Sequence, residues 1–391
     1  MGSCVIERET EVRAAALQVR VLRSLSEVEE IRSTWAAWSW HPDSDIDLYL
    51  LLMTLRPEIV CPYIIVVYRH GRPETMLVGR IVRQRIAFRV GYKTIMKPSV
   101  RLLSIIPGGT LGNLCAESSD LLVGEILRCL RHHEADVAEL GFIPADSALY
   151  HSATKIPGML QRDFFPLVQS HWVMSLSDGD PGGSQPLSKD DREQRRKAKK
   201  FLADHLNQIE IRRFGEAATL ERMIADVEEI AKKTYQRGLS AGFIPNDVTR
   251  RLLQLEAAKG WLRTYILYVA DKPCAFWLGN VYHGVFCGGA MGYDPAYGKY
   301  AVGKFLMNHG IAEFRTEGIK EIDFWLGDAE YKQRLSNRTW KEAVVYVFAP
   351  TFKGIVLNAL RTPTVLIDRL ARSFIEKIGI LPTVKRVLRN G

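Results

Sequence analysis

The residues best suited to chemistry lie in one stretch, 292–307, where a glycine-bearing loop leads into a predicted helix. The small residues Ala301 and Gly303 open that helix. The first N–H groups of a helix have no partners within it, and the helix dipole adds partial positive charge there. Small side chains let a phosphate approach these groups closely, so the pattern favours a pyrophosphate-bearing ligand. The candidate binding residues are Lys299, Ala301, Val302, Gly303 and Lys304.

Taken alone, this pattern also fits ordinary packing or turn chemistry, which is the commoner use of a glycine near a helix start. The stretch is neither a GxxxxGK[ST] phosphate-binding loop nor a GxGxxG dinucleotide fingerprint. Whether this stretch is a binding site therefore depends on the other reactive residues near it.

A second cluster of reactive side chains follows about 20 residues later, in the segment 322–333. A predicted strand ends at a glycine and is followed by Asp328, Glu330, Tyr331 and Lys332. Polar residues just past a strand, beside a helix that can bind phosphate, form a plausible reaction centre. Asp323 lies inside the strand and is assigned a structural role, because a buried carboxylate usually satisfies a neighbouring group.

A third charged segment is the predicted helix that starts near residue 188. Its basic residues could bind an acidic acceptor, or they could form a solvated face interrupted by acidic residues; they are Arg192, Arg195, Arg196, Lys197, Lys199 and Lys200. The nine histidines form no metal-ligand pattern and the six cysteines form no CxxC pair. The sequence therefore predicts neither a metal site nor a disulfide framework.

The sequence predicts that the helices and strands that position these residues form mixed α/β structure in two halves. The predicted domains are 1–176 and 188–350, joined by a linker at 177–187 with three Gly and two Pro. A tail, 351–391, follows as a basic amphipathic helix. Both halves have helices, an antiparallel meander, and then a helix with further strands, so the element order suggests a duplication.

Several element predictions can be checked individually. In the first half, a hairpin is predicted from strands at 61–69 and 75–82, and a helix from 118–120 to about Leu140. In the second half, a three-stranded meander is predicted over 261–293. One helix has an apolar face that should be buried, consisting of Leu220, Met223, Ile224, Val227, Ile230 and Ala231.

The composition limits the class of protein. The chain has 391 residues, of which 47% are hydrophobic and 25% charged, as in ordinary folded proteins. Residues 351–391 hold eight basic and two acidic residues, so most of the formal charge of +9 lies in the tail. A nucleic-acid binder with a basic surface throughout is therefore not favoured. No apolar run is long enough for a membrane span and no secretory signal opens the chain, which predicts a cytoplasmic protein.

Together, the three clusters resemble a known family. The Arg-rich helix, the small-x-Gly helix start and the segment Asp-Phe-x-x-Gly-Asp-x-x-Tyr-Lys are similar to CelD/BcsL-type acyltransferases. These belong to the GCN-five-related N-acetyltransferase (GNAT) superfamily, close to the FemAB peptidyltransferases. The resemblance covers about 187–350 well and 17–176 only in layout. It implies an α/β (α+β) fold with two GNAT-like domains, each with a mixed, mainly antiparallel sheet.

The resemblance also implies that acyl-CoA binds at 301–304. The usual leading Arg/Gln of the GNAT pattern is replaced here by Gly298, and Lys299 could substitute for its charge but not for its bidentate geometry. For acyl transfer to an amine, Asp328 is the expected base, with Glu330 second. Lys332, or a backbone N–H of the predicted strand at 285–291, is the expected oxyanion partner, and Tyr331 is the expected proton donor to the leaving thiolate. Arg192, Arg196 and Trp325 are the expected acceptor-binding residues.

The predicted function is therefore transfer of an acyl group, with acetyl from acetyl-CoA as the expected donor, and without a metal. The acceptor would be an amine or hydroxyl of a saccharide, lipid or cell-envelope precursor. Two alternatives stay open: a FemAB-like aminoacyltransferase that uses aminoacyl-tRNA, and a non-catalytic, membrane-associated GNAT-like module. Residues 363–390 would provide the peripheral membrane contact.

Overall fold

The computed structural model describes residues 17–90, 93–176, 189–234, 237, 242–327 and 329–378. The chain divides into two compact units. We call residues up to 169 together with those from 341 the N-terminal unit, and residues 170–340 the C-terminal unit. These divisions differ from the predicted domain bounds, since the segment after Trp340 groups with the first half of the chain. The predicted linker, 177–187, lies outside the described residues.

The N-terminal unit is built on a mixed sheet. Its strands are β1 (Gln18–Leu22), β2 (Ile59–Arg69), β3 (Arg72–Arg85), β4 (Phe88–Val90), β5 (Lys93–Met96), β6 (Ser99–Gly112), β7 (Val137–Pro144) and β14 (Arg338–Phe348). Its helices are α1 (Leu25–Glu30), α2 (Arg32–Trp38), α3 (Ile46–Leu55), α4 (Ala116–Arg131), α5 (Ala148–Lys155) and α11 (Phe352–Ile378). The sheet order is β1-β2-β3-β6-β7-β14, in which only the β6–β7 pair is parallel. Strands β4 and β5 form a separate hairpin.

The C-terminal unit repeats this plan. Its strands are β8 (Leu167–Ser175), β9 (Ile209–Phe214), β10 (Leu262–Val269), β11 (Lys272–Tyr282), β12 (Val285–Tyr293) and β13 (Glu321–Leu326). Its helices are α6 (Lys189–Asp204), α7 (Leu220–Ala231), α8 (Asp247–Ala258), α9 (Val302–Thr316) and α10 (Glu330–Leu335). The order is β8-β13-β12-β11-β10-β9, with β12–β13 as the parallel pair. In both units a helix joins the two parallel strands and provides the long crossover connection that parallel pairing requires.

Local sequence explains several of these elements. The β2–β3 hairpin is confirmed, and its turn residues His70 and Gly71 both have positive φ, at 51° and 72°. This is the conformation of a two-residue turn whose twist matches the strands. The predicted meander is confirmed as β10–β11–β12. All six residues of the predicted apolar face of α7 are buried.

One predicted element was wrong. The helix expected to reach Leu140 begins after Cys115, ends at Arg131, and is followed by strand β7. His133 adopts a φ of 59°, which turns the chain out of the helix. Residues of β7 then pair with β6 and are buried, so tertiary pairing decides the structure of a segment whose local pattern is ambiguous.

The predicted tail helix begins at Phe352, and its first turns pack on the N-terminal unit. Leu357 and Asn358 are buried, and the Asn358 amide donates to the carbonyl oxygens of Leu160 and Arg162, each at 3.0 Å. The Arg361 guanidinium donates to Asp163 at 2.7 Å. The start of this segment is thus an integral part of the fold.

Candidate active site

The two central strands of the C-terminal unit separate at the candidate site. β12 pairs with β13 only over Val285–Cys287 and Glu321–Asp323. Beyond Cys287, β12 continues to Tyr293, whereas Leu326 near the end of β13 pairs with His171 of β8. The parallel strands therefore diverge after Cys287. The glycine-rich part of β12 that follows does not pair with β13. Gly289 and Tyr293 are the exposed residues of this part.

A short 3-10 turn, Pro295–Tyr300, connects β12 to α9 and is firmly anchored. Asp294 caps the turn by accepting from Ala296 N–H at 3.0 Å, and its other oxygen accepts from Lys233 Nζ at 2.9 Å. Burial opposes the charge on this carboxyl, but these two donors hold the pKa of Asp294 below its usual range. The Tyr300 hydroxyl donates to Asp204 of α6 at 2.8 Å.

Helix α9 begins in an unusual backbone conformation. Ala301 has φ 55° and ψ 42°, the left-handed region that residues with a Cβ rarely adopt. The first bonds of the helix run from the N–H groups of Lys304 and Phe305 to the Ala301 carbonyl, at 3.0 and 3.1 Å. The N–H groups of Val302 and Gly303 precede this ladder, as at any helix N-terminus. Strain of this kind persists where the surrounding structure fixes it, often at ligand sites.

The five predicted donor-site residues thus lie together at the start of α9. Val302 and Gly303 are buried, Lys304 is half-buried, and Lys299 is exposed. A Cβ at Gly303 would lie 3.5 Å from Tyr293 Cδ1, an ordinary contact. Helix α6, which carries the predicted Arg192 and Arg196 as exposed side chains, packs beside this start through contacts of Phe201 with Tyr300 and Phe305.

The remaining predicted residues lie at the carboxyl end of β13 and in α10. The Lys332 ammonium donates to the Leu326 carbonyl at 2.6 Å, and the Tyr331 ring packs edge-on against Phe324 at 6.1 Å. Trp325 has a φ of 63°, so it too occupies the left-handed region. Tyr331 and Lys332 therefore pack against the carboxyl end of β13, the strand end that carries Trp325. The predicted base Asp328 lies outside the described residues.

A buried ionisable pair that sequence reasoning missed lies at the same place. Asp323 Oδ1 is 2.8 Å from His171 Nε2 and accepts from Trp325 N–H at 2.6 Å. The His171 ring stacks on Trp340 at 4.3 Å and meets Trp325 edge-on at 5.5 Å. His171 and Asp323 expose only 3% and 7% of their surface. They are 152 residues apart in the chain, so no spacing pattern could have linked them.

Comparison with known proteins identifies a family to which part of this chain is similar. Residues 188–333 match the family model described as "Acetyltransferase (GNAT) domain". This part of the chain is therefore similar to GNAT acetyltransferase domains. The protein is accordingly an acyltransferase enzyme. The matched range contains the helix start at 301–304 and the Tyr331–Lys332 pair, but it does not test the roles of individual residues.

Solved structures share the fold at low sequence identity. A conserved protein of unknown function from Bacteroides thetaiotaomicron VPI-5482 is 12% identical with a TM-score of 0.50, and covers 82% of this chain and 97% of its own. FemX is 10% identical with a TM-score of 0.50, covering 81% and 96%. A tandem GNAT protein from the clavulanic acid biosynthesis pathway is 10% identical with a TM-score of 0.46, covering 86% and 99%. None of the curated proteins compared with the chain matches it.

The predicted fold class, mixed α/β with GNAT-like units and mainly antiparallel sheets, is confirmed. At these identities the solved structures show the fold alone, so the CelD/BcsL assignment stays a prediction.

Proposed function

We propose that the protein transfers an acyl group, acetyl in the first instance, from acyl-CoA to an amine or hydroxyl. The observation that carries this proposal is the divergence of β12 from β13 just before the strained start of α9. A strand with unpaired backbone groups can bind an extended amide-bearing chain, and a helix start can bind its pyrophosphate. Acyl-CoA combines these two features in one molecule.

Exchange of Gly303 for glutamate should abolish acetyl-CoA binding. A Cβ at position 303 would make only an ordinary contact with Tyr293, so there is room for a side chain and the helix should still form. The new carboxylate would lie beside the first N–H groups, where it both repels the pyrophosphate and competes for its donors. Isothermal titration with acetyl-CoA measures the effect, and a loss of at least about 100-fold is expected, near 2.7 kcal/mol.

The matched control is Ala312→Glu, which adds the same charge to an exposed position of the same helix. It should bind acetyl-CoA as the unmodified protein does. Equal affinity of both variants would mean that the donor site lies elsewhere. Absence of acetyl-CoA binding by the unmodified protein, together with binding of aminoacyl-tRNA, would favour the FemAB-like alternative.

The acceptor must lose a proton as it attacks, and two groups could take it. We propose that His171 accepts the proton and that the Asp323 carboxylate stabilises the resulting imidazolium. The predicted base Asp328 is the competing candidate. Lys332 would stabilise the developing oxyanion, and Tyr331, which is 37% exposed, would protonate the leaving thiolate.

For the acceptor, we propose a saccharide, lipid or cell-envelope precursor that carries negative charge. Arg192 and Arg196 are exposed on α6, the helix that packs beside the start of α9. Guanidinium groups suit phosphates and carboxylates, and the Trp325 ring offers an apolar or sugar-binding surface. The acceptor class itself rests on the family resemblance.

We further propose that α11 docks on an anionic membrane surface. Opposite its docked residues, the helix exposes Phe352 by 85%, Leu366 by 40% and Ile367 by 47%. The chain after 367 holds six basic and two acidic residues, so it would be attracted to anionic lipid and repelled by a second copy of itself. Within the described residues, no helix has the length and hydropathy to cross a bilayer, so the contact would be peripheral.

Sedimentation with lipid vesicles tests this docking. The protein should bind vesicles that contain phosphatidylglycerol and bind vesicles of pure phosphatidylcholine at least about tenfold less, because surface charge contributes much of the attraction. Phe352→Glu should weaken binding, whereas Leu206→Glu, at an equally apolar position that is 71% exposed on the C-terminal unit, should not. Equal binding of the two vesicle types would contradict the proposal.

A further inference from the structure

A partly buried arginine, Arg80, lies at the edge of the core of the N-terminal unit. Side chains alternate along β3, so Met76, Val78 and Arg80 lie on the same face of the sheet. Met76 and Val78 are fully buried and belong to the cluster formed with α1, α2 and α3. Arg80 therefore places a guanidinium at the edge of this apolar layer, beside Tyr49 of α3.

Two of the three guanidinium nitrogens of Arg80 have no hydrogen-bond partner among the described residues. Its Nε and Nη1 are buried, and neither has a hydrogen-bond acceptor within the described part of the chain. Other arginines of this unit have carboxylate partners: Arg32 contacts Asp47, Arg69 contacts Glu74, Arg128 contacts Glu125 and Arg361 contacts Asp163. A charge removed from water without a partner is costly, which makes this position unusual.

Arg80 borders a cavity of about 180 Å³. Its lining combines polar and apolar side chains, with two cations and one carboxylate: Asp43, Leu48, Tyr49, Leu52, Arg56, Arg80, Ile106 and Pro107. The Tyr49 hydroxyl donates to the Gly79 carbonyl at 2.8 Å, which fixes this wall. Pro107 lies in the irregular part of β6, where the register with β3 shifts after Leu77.

We propose that this cavity binds a small organic carboxylate, with its anionic group at Arg80 and its apolar body against Leu48, Leu52 and Ile106. The excess of one positive charge in the lining matches a monoanion. A carboxylate has the planar geometry that a guanidinium binds through two parallel N–H bonds. The size of the cavity restricts the ligand, or the bound part of it, to a few carbon atoms.

The electrostatics of the site support this assignment. Burial lowers the pKa of Arg80, because the charged form loses solvation and the Arg56 charge adds to the penalty, whereas Tyr49, Glu58 and Asp43 act in the opposite sense. Of the two carboxylates among these groups, Asp43 lines the cavity, and its side chain is 47% exposed. The protein therefore offsets the desolvation of the Arg80 charge only weakly. An anion bound in the cavity would offset it further.

Titration calorimetry of the full chain with sodium butyrate tests the proposal. Butyrate has one carboxylate and a short apolar chain, and butanamide has nearly the same shape without the charge. Saturable binding of butyrate is expected, with butanamide at least about tenfold weaker because it forms no charged pair. The site lies in the N-terminal unit and needs no acyl donor, so its failure would leave the donor-site proposal intact.

Arg80→Met should abolish butyrate binding while keeping the apolar layer continuous, and it should not lower stability in the absence of ligand. Arg80→Lys keeps the charge but loses the paired donors, so it should bind at least about tenfold more weakly. Arg83→Met, at an exposed position of the same strand, should bind like the unmodified protein. No binding of butyrate, equal binding by Arg80→Met, or binding of inorganic phosphate alone would overturn the proposal.

Discussion

Exchange of Asp323 for asparagine should lower the turnover of acyl transfer about 100-fold or more and leave the affinity for acetyl-CoA unchanged. The carboxylate lies 2.8 Å from His171 Nε2 in a buried environment, so it can stabilise an imidazolium formed when the acceptor loses its proton. Asparagine keeps an oxygen that can accept from Trp325 N–H, which preserves the backbone of the bulge. The variant thus removes charge while retaining shape.

Release of the CoA thiol, with glucosamine and ethanolamine as probe acceptors, measures this effect. The control is Glu321→Gln, the same chemical change two residues earlier on β13, where the carboxylate forms a partly exposed ion pair with Arg338. That variant should retain its turnover. A KM for acetyl-CoA that stays constant while kcat falls separates an effect on the reaction from a loss of fold.

Asp328→Asn distinguishes the two candidate bases. If it abolishes transfer while Asp323→Asn has no effect, the buried pair only supports the bulge at Trp325 and the predicted base is Asp328. If Asp323→Asn alone is inactive, the proton passes to His171. Because both variants conserve side-chain volume, misfolding is not the expected cause of either result.

Helix α9 could be predicted from sequence because all the information that specifies it is local. A strand, a loop, two small residues and an apolar stripe follow one another within 16 residues, and each has a direct structural consequence. The same holds for the β2–β3 hairpin and for the buried face of α7. In these cases the local sequence determines the backbone conformation without contacts from residues that are distant in the chain.

The His171–Asp323 pair could not be predicted for the opposite reason. It depends on the pairing of β8 with β13, and on the bulge that places Leu326 rather than its neighbour opposite His171. Strand β7 was missed on similar grounds, because its extended form depends on the parallel pairing with β6. Sequence patterns indicate which residues are apolar, but long-range register decides which polar residues meet.

Exchange of Arg361 for methionine should destabilise the N-terminal unit by about 3–5 kcal/mol. The side chain of Asp163 is only 1% exposed, and its Oδ1 accepts from the Arg361 guanidinium at 2.7 Å and from Phe165 N–H at 2.9 Å. Its other oxygen accepts from Tyr346 N–H at 3.1 Å. Without the guanidinium, which also packs on the Tyr346 ring at 4.4 Å, a buried carboxylate would lose its cationic partner. Urea unfolding followed by circular dichroism measures the loss.

Two comparisons test whether this cost comes from the buried charge. Arg20→Met removes an ion pair with Glu30 in which both side chains are about half exposed, so it should cost less than about 1 kcal/mol. The double variant Arg361→Met with Asp163→Asn should recover much of the lost stability, since the amide can still accept from the two backbone N–H groups without carrying a charge. If Arg361→Met costs no more than Arg20→Met, the pair does not hold α11 on the unit. The attachment of that helix would then depend on Leu357 and Asn358, whose burial and hydrogen bonds do not involve the charge.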